Sequence, residues 1–155
     1  MYEKILIPLD GSENGEAALP VIEEIISKLS AEIQTEIILL QVISALTHWA
    51  VAGAATAPIQ YSEKELRLIE QQTRDYLTQI STNLVNQGTN VSTEVRFGNA
   101  AEEIIKVAED LQVDLIAMST HGRSGVSRWA LGSVADRIIR GSKKPVLIIR
   151  AYKGK

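Results

Sequence analysis

The chain has 155 residues, of which 45% are hydrophobic and 23% charged, with a formal net charge of −3. That length suits one domain with a sizeable core, and the acidic balance argues against a nucleic-acid surface. Cysteine is absent and aromatics are only 5%, which removes a disulfide frame, thiolate metal sites and a stacking platform for single strands, and makes the reducing cytoplasm the expected compartment.

Met1 to Lys4 leads into a strand-like run without a signal-peptide core. Lys4–Leu9 (KILIPL) is a short apolar strand closed by Asp10-Gly11-Ser12. From Ala17 the apolar residues take helical spacing at Ala18, Val21, Ile22, Ile25, Ile26 and Leu29. Ile37–Ile43 is a second strand, too uniformly apolar to face water. No charge occurs from Ile37 through Ser62, a length that could span a membrane. Gln41, Ser44, Thr47, His48, Gly53, Thr56 and Pro58 interrupt that stretch, so a buried strand followed by a long small-residue loop over 44–60 is expected, with no membrane contact. We read Ala45 to Ile59 as an element that orders over a ligand.

Ser62 and Glu65 form a capping box, and Leu66, Ile69, Tyr76, Leu77, Ile80 and Leu84 mark one face of a long helix that Gly88 ends. Val91, Thr93 and Val95 alternate with Ser92, Glu94 and Arg96, the pattern of a half-exposed edge strand. Asn99 and Glu102 cap a helix carrying Ile104, Ile105, Ala108 and Leu111. Asp114–Met118 is a fourth strand, a glycine-rich loop follows, and a helix then turns Val134, Ala135, Ile138 and Ile139 inward. Pro145–Ile149 is the last strand, and the domain is expected over 1–151 with a tail at 152–155.

Five strands alternating with four helices imply an α/β fold with one open parallel sheet and helices on both faces. Ligands of such sheets bind beyond the carboxyl ends of the strands, at the switch point. Two loops there carry suitable chemistry. One is Asp10-Gly11-Ser12. The other is STHGRSGVSRWALGS, Ser119–Ser133, with Gly122, Gly125 and Gly132 ahead of a helix. Amides freed at glycines beside a helix N-terminus make a seat for anionic oxygen.

At these residues the sequence resembles a known family. IPLDGSENGEAAL, MSTHGRSGVSRWALGSVADRIIR and KKPVLIIR, in that order and spread over nearly the whole chain, look like a universal stress protein domain. An ATP-binding subgroup of that family carries Gly, two residues, Gly, nine residues, Gly, then Ser or Thr. Gly122, Gly132 and Ser133 match, whereas the first position is Ser119.

The resemblance implies strand order 3-2-1-4-5 and a Rossmann-like site for ATP, or another adenine nucleotide, with Mg or Mn. It places Pro8, Leu9 and Asp10 beside the adenosine, with Asp10 near the ribose or the divalent ion. Val42 would offer backbone to the adenine, and Met118 belongs to the same nucleotide-binding set. Ser119, His121, Gly122, Arg123 and Ser124 would wrap ribose and phosphates, and Gly132, Ser133, Val134 and Ala135 would give amides and a hydroxyl. A homodimer through Val146 to Ile149 is implied as well.

Plainer roles stand beside these. Asp10-Gly11-Ser12 also suits a turn and helix cap, His121 a loop hydrogen bond, Trp129 a packing anchor, and Lys143-Lys144 a solvated helix end. A Walker-type lysine, a second carboxylate beside Asp10 and a readable nucleophile–base set are all missing from the sequence. The expected function is therefore a nucleotide-responsive stress or signalling protein with at most slow ATP hydrolysis. A slow ATPase or a phosphate- or adenylate-transferring enzyme, and a nucleotide-free dimeric module, are the alternatives.

Overall fold

The computed structural model describes residues 3–28, 34–44, 49–52, 55–58, 61–86, 89–121 and 131–151. The main sheet contains β1 (Lys4–Leu9), β2 (Glu36–Ile43), β5 (Asn90–Phe97), β6 (Leu115–His121) and β7 (Val146–Ala151). Its order is β5-β2-β1-β6-β7 with every pairing parallel, which is the 3-2-1-4-5 arrangement. The helices are α1 (Glu13–Glu16), α2 (Ala18–Ser27), α3 (Glu63–Asn86), α4 (Ala100–Asp110) and α5 (Ser133–Gly141).

Alternation along the central strands builds two cores. Ile5, Ile7, Leu9, Ile37, Leu39 and Ala117 face α2 and α3, meeting Ile22, Leu77 and Leu84. Leu6, Ile38, Leu40, Ile116 and Met118 face α4 and α5, meeting Ile104, Val107, Ala135 and Ile138. Both faces of β1 and β2 are thus buried, which is why these strands read as unbroken apolar runs.

The rungs are uneven across the sheet. β1 and β2 stay in register from Lys4–Glu36 to Leu9–Gln41. β1 and β6 pair at Ile5–Leu115 and Leu6–Ile116, and there the pairing stops. Pro8, two residues further, has no N–H to extend it. The strands therefore part at the switch point, on the side where the ligand loops lie.

Local chemistry sets the element ends. Ser62 Oγ and its amide both meet Glu65 Oε2 at 2.8 Å, and the Glu65 amide reaches back to Ser62 Oγ, so the expected capping box is present. Those bonds hold the Glu65 carboxyl below its usual range, the Ser62 backbone bond first. Asn99 Oδ1 accepts from the Glu102 amide at 3.2 Å. The Glu102 carboxylate turns instead to Arg137 of α5, 3.4 Å away. At the end of α4 the Val113 amide donates to Ala108 O and the Gln112 amide to Glu109 O, a Schellman closure. It puts Gln112 at φ 52.

Several expectations are corrected. The helix expected from Ala17 is α2, and a short α1 that the spacing does not show precedes it; Pro20 has no amide to donate to Glu16 O, so the two do not run on. The region expected to be an irregular loop holds β3 (Trp49–Ala52) and β4 (Ala55–Pro58), paired antiparallel. Runs of four residues rich in alanine are too short to show a strand period. The remainder of that region, with His48, lies outside the described residues, as do Leu29 and Gly88.

Leu66 is 36% exposed rather than buried. α3, at 24 residues, is about 36 Å long against about 26 Å for β5, so its first turns overrun the sheet. On α5 only Ala135 and Ile138 are buried, while Val134 and Ile139 are 37% and 41% exposed. β5 and β7 are the two edges. β5 carries a Glu94–Arg96 ion pair at 3.2 Å, and β7 presents Val146 to Ile149. Among the described residues, no helix is long and apolar enough to cross a membrane.

Candidate functional site

A cleft of about 550 Å³ opens where β1 and β6 part. Pro8, Leu9 and Asp10 come from the end of β1, and Val42 from the end of β2. Met118, Ser119 and Thr120 come from β6, while Gly132, Ser133, Val134 and Ala135 form the entry to α5. All of these except Thr120 are residues the sequence singles out, brought together from distant parts of the chain. His121 closes β6 opposite Ala151. Gly122, Arg123 and Ser124, like Gly125 and Trp129, lie outside the described residues.

The cleft has two characters. Val42, Ala100, Ile104, Met118 and Leu131 make an apolar wall, suited to a flat, weakly polar ring. Asp10, Ser119, Thr120 and Ser133 add polar groups to the lining. Gly132 is the N-cap of α5 and has no side chain to cap it, so among the described residues no N-cap side chain takes up the first amides of that helix. Gly132 stands at φ 84, ψ 149, a conformation open essentially to glycine alone. A Cβ built there would meet nothing within 4 Å. The glycine is therefore required by the backbone and not by crowding. The amides and the helix dipole together favour an anion at this end.

Asp10 is held by its own turn. Its Oδ1 accepts from the Ser12 amide at 3.0 Å and from Ser12 Oγ at 2.6 Å. Ser12 Oγ in turn accepts from the Gly15 amide at 3.0 Å and caps α1. The turn-and-cap role is thus real, and the same carboxylate borders the cleft. Gly15 is buried against it, and a Cβ at that position would collide with Asp10 Oδ1. One residue on, Glu16 Oε1 accepts from the Tyr76 hydroxyl of α3 at 2.9 Å. Burial, then that hydrogen bond, then the charges of Glu16 and Asp10 push the Tyr76 hydroxyl well above the ordinary tyrosine range.

Ser119 departs from the glycine of the family pattern without backbone strain. Gln112 is the residue other than glycine found at positive φ among those described. Strand alternation places Ser119 with Ala117, on the α1 side, while Met118 and Thr120 face the apolar wall. Its Oγ lies 2.5 Å from Asn14 O and 2.9 Å from Gly15 O, donating to the backbone of α1. The serine does not plug the cleft.

Gly15, Ala100, Ile104, Thr120 and Leu131 border the cleft without having been singled out in the sequence. Ala100 follows the cap of α4 on the carboxyl edge of the sheet, and Ile104 is one turn on. The switch-point rule could have found both. Among the described residues, no three His, Asp or Glu stand together as a metal site.

An open 3-2-1-4-5 parallel sheet with a cleft at its switch point defines an α/β protein of Rossmann-like architecture. The universal stress protein family model matches residues 1–150, and the chain belongs to that family. It is 34% identical to universal stress protein MJ0577 of Methanocaldococcus jannaschii, over 97% of this chain and 96% of that protein. The solved structure of MJ0577 superposes with a TM-score of 0.62 at 31% identity, covering 99% of both chains. A universal stress family protein of Arabidopsis thaliana with AMP bound superposes at 0.65 (16% identity, 97% and 92% covered). A universal stress protein in complex with cAMP does so at 0.60 (18% identity, 97% and 98% covered). At those identities the last two show the shared fold.

Proposed function

We propose that this protein binds an adenine nucleotide, ATP with Mg or Mn, in the cleft between β1 and β6, and acts as a nucleotide-responsive stress or signalling protein without efficient catalysis. The observation that carries this reading is one cleft lined both by the glycine N-cap of α5, Gly132, and by the apolar residues Val42, Ala100 and Ile104. The adenine fits the wall, and the phosphates fit the free amides and Ser133. The relatives solved with AMP and cAMP support a ligand of this class.

Pro8, Leu9, Asp10, Val42, Met118 and Thr120 line the adenosine end in this reading, and Gly132 to Ala135 take the phosphates. Gly122, Arg123 and Ser124 complete it from the glycine loop. The divalent ion neutralises phosphate charge, and Asp10 is the acidic residue available to it. A homodimer forms through β7, and the protein works in the cytoplasm.

Calorimetric titration with Mg-ATP, AMP and cAMP tests the reading, together with mass spectrometry of small molecules released on denaturing freshly purified protein. Saturable binding of at least one adenine nucleotide, lost in Gly132→Val, is the expected result. No binding of any of the three at millimolar concentration overturns it.

A further inference from the structure

We propose that Ser119 is a positioning residue, a latch that fastens the turn after β1 to β6 across the gap where the two strands part. This deepens the nucleotide reading and rests on it for the ligand's identity. Backbone pairing between β1 and β6 ends at Leu6–Ile116, so main-chain rungs do not fix the separation of the strands at the cleft. Ser119 lies three residues beyond the last rung. Its hydroxyl closes on the carbonyls of Asn14 and Gly15 at 2.5 and 2.9 Å.

That contact presses α1 toward β6. Gly15, which has no room for a Cβ beside Asp10, keeps the carboxylate in place. The far side of α1 is fixed by the Tyr76 hydroxyl on Glu16. α1 spans Glu13–Glu16 and has too few internal bonds to stand unaided. Its placement depends on these two anchors and on the Ser12 cap. Ser119 thus acts on the ligand through Asp10, from the face of β6 opposite Met118 and Thr120.

The latch and a direct ligand contact make opposite predictions for glycine. If the family's glycine serves close approach of the ligand, Ser119→Gly tightens binding. If Ser119 is a latch, Ser119→Gly and Ser119→Ala each weaken Mg-ATP about fivefold, the net worth of one hydrogen bond. Ser119→Thr, which keeps the donor, stays within about twofold of wild type by the same reasoning. In an Asp10→Asn background, which keeps the acceptor for Ser12, the loss from Ser119→Ala disappears, because the two residues act in series.

Hydrogen exchange without nucleotide reads the latch directly. The amides of Gly15, Glu16 and Ala17 exchange about fivefold faster in Ser119→Ala than in wild type and are unchanged in Ser119→Thr. Tighter or equal binding by Ser119→Gly, additive effects with Asp10→Asn, or unaltered exchange in Ser119→Ala overturns the proposal. A wild type that binds no nucleotide defeats the functional reading alone, and the exchange result still decides the latch.

Discussion

Replacing Gly132 with alanine isolates one physical effect. The residue sits at φ 84, ψ 149, where an L side chain costs about 1–3 kcal/mol. Because a Cβ there meets nothing within 4 Å, collision adds nothing to that figure. The cost is conformational and should not depend on side-chain size, so Gly132→Ala and Gly132→Ser are expected to lose the same amount. Urea unfolding measures the loss directly, with slope unchanged and midpoint lowered.

The chain can relieve the strain by rotating the entry to α5. That rotation spoils the aim of the first free amides and removes about one charge-assisted hydrogen bond to a phosphate. Mg-ATP affinity is then about tenfold lower, equivalent to about 1.4 kcal/mol, by calorimetry. Wild-type midpoints for both variants would show that the backbone at Gly132 is not locked. A serine variant much less stable than the alanine variant would show that space matters after all.

Gly15→Ala tests the wall behind Asp10. Alanine favours the helix by up to about 1 kcal/mol, but its Cβ displaces the Asp10 carboxylate. Stability near wild type with about tenfold weaker nucleotide binding is expected by calorimetry, and unchanged affinity would mean that Asp10 does not serve the ligand. Asp114 Oδ2 accepts from the amides of Glu3 at 2.9 Å and Lys4 at 3.0 Å, and the Lys4 bond leads in holding its carboxyl below the usual range. A depressed carboxyl contributes stability above its unfolded pKa and loses it as pH falls through the folded value. Asp114→Asn should therefore cost about 1 kcal/mol at pH 7, with the gap to wild type closing below about pH 4; a gap constant with pH in urea titrations refutes the assignment. Gln112→Gly relieves φ 52 at the end of α4 and should raise stability by about 0.5–1 kcal/mol, a gain partly offset by the lost bond from Gln112 Nε2 to Glu109 O at 2.6 Å. A lower urea midpoint would show that this bond outweighs the strain.

The sheet was legible because buried parallel strands are apolar runs, and runs such as Ile37–Ile43 admit no other placement. Caps at Ser62 and Asn99 were legible because they act over three residues. Tertiary context hid the rest. The exposure of Leu66 follows from α3 outlasting β5, a comparison of two elements far apart in the chain. Val134 and Ile139 were read inward on helical spacing, yet α5 buries only the narrow stripe through Ala135 and Ile138. The glycine pattern pointed to Gly132, which lines the cleft. Ser119, where the chain departs from that pattern, lines the cleft too, and spacing along a chain does not say which face of β6 its side chain takes. Gly15 lies inside the IPLDGSENGEAAL motif, but the need for it appears only once Asp10 folds back over it.

The two borders of the sheet have different prospects. A fibre that grows by strand addition must be able to accept a neighbour on both sides. Here one side carries an acidic and a basic residue paired with each other, and the other offers four aliphatic residues, Val146 to Ile149, ahead of Arg150. An association using only the aliphatic border consumes it in both copies and leaves nothing for a third. Strand addition confined to that border would therefore stop at two copies.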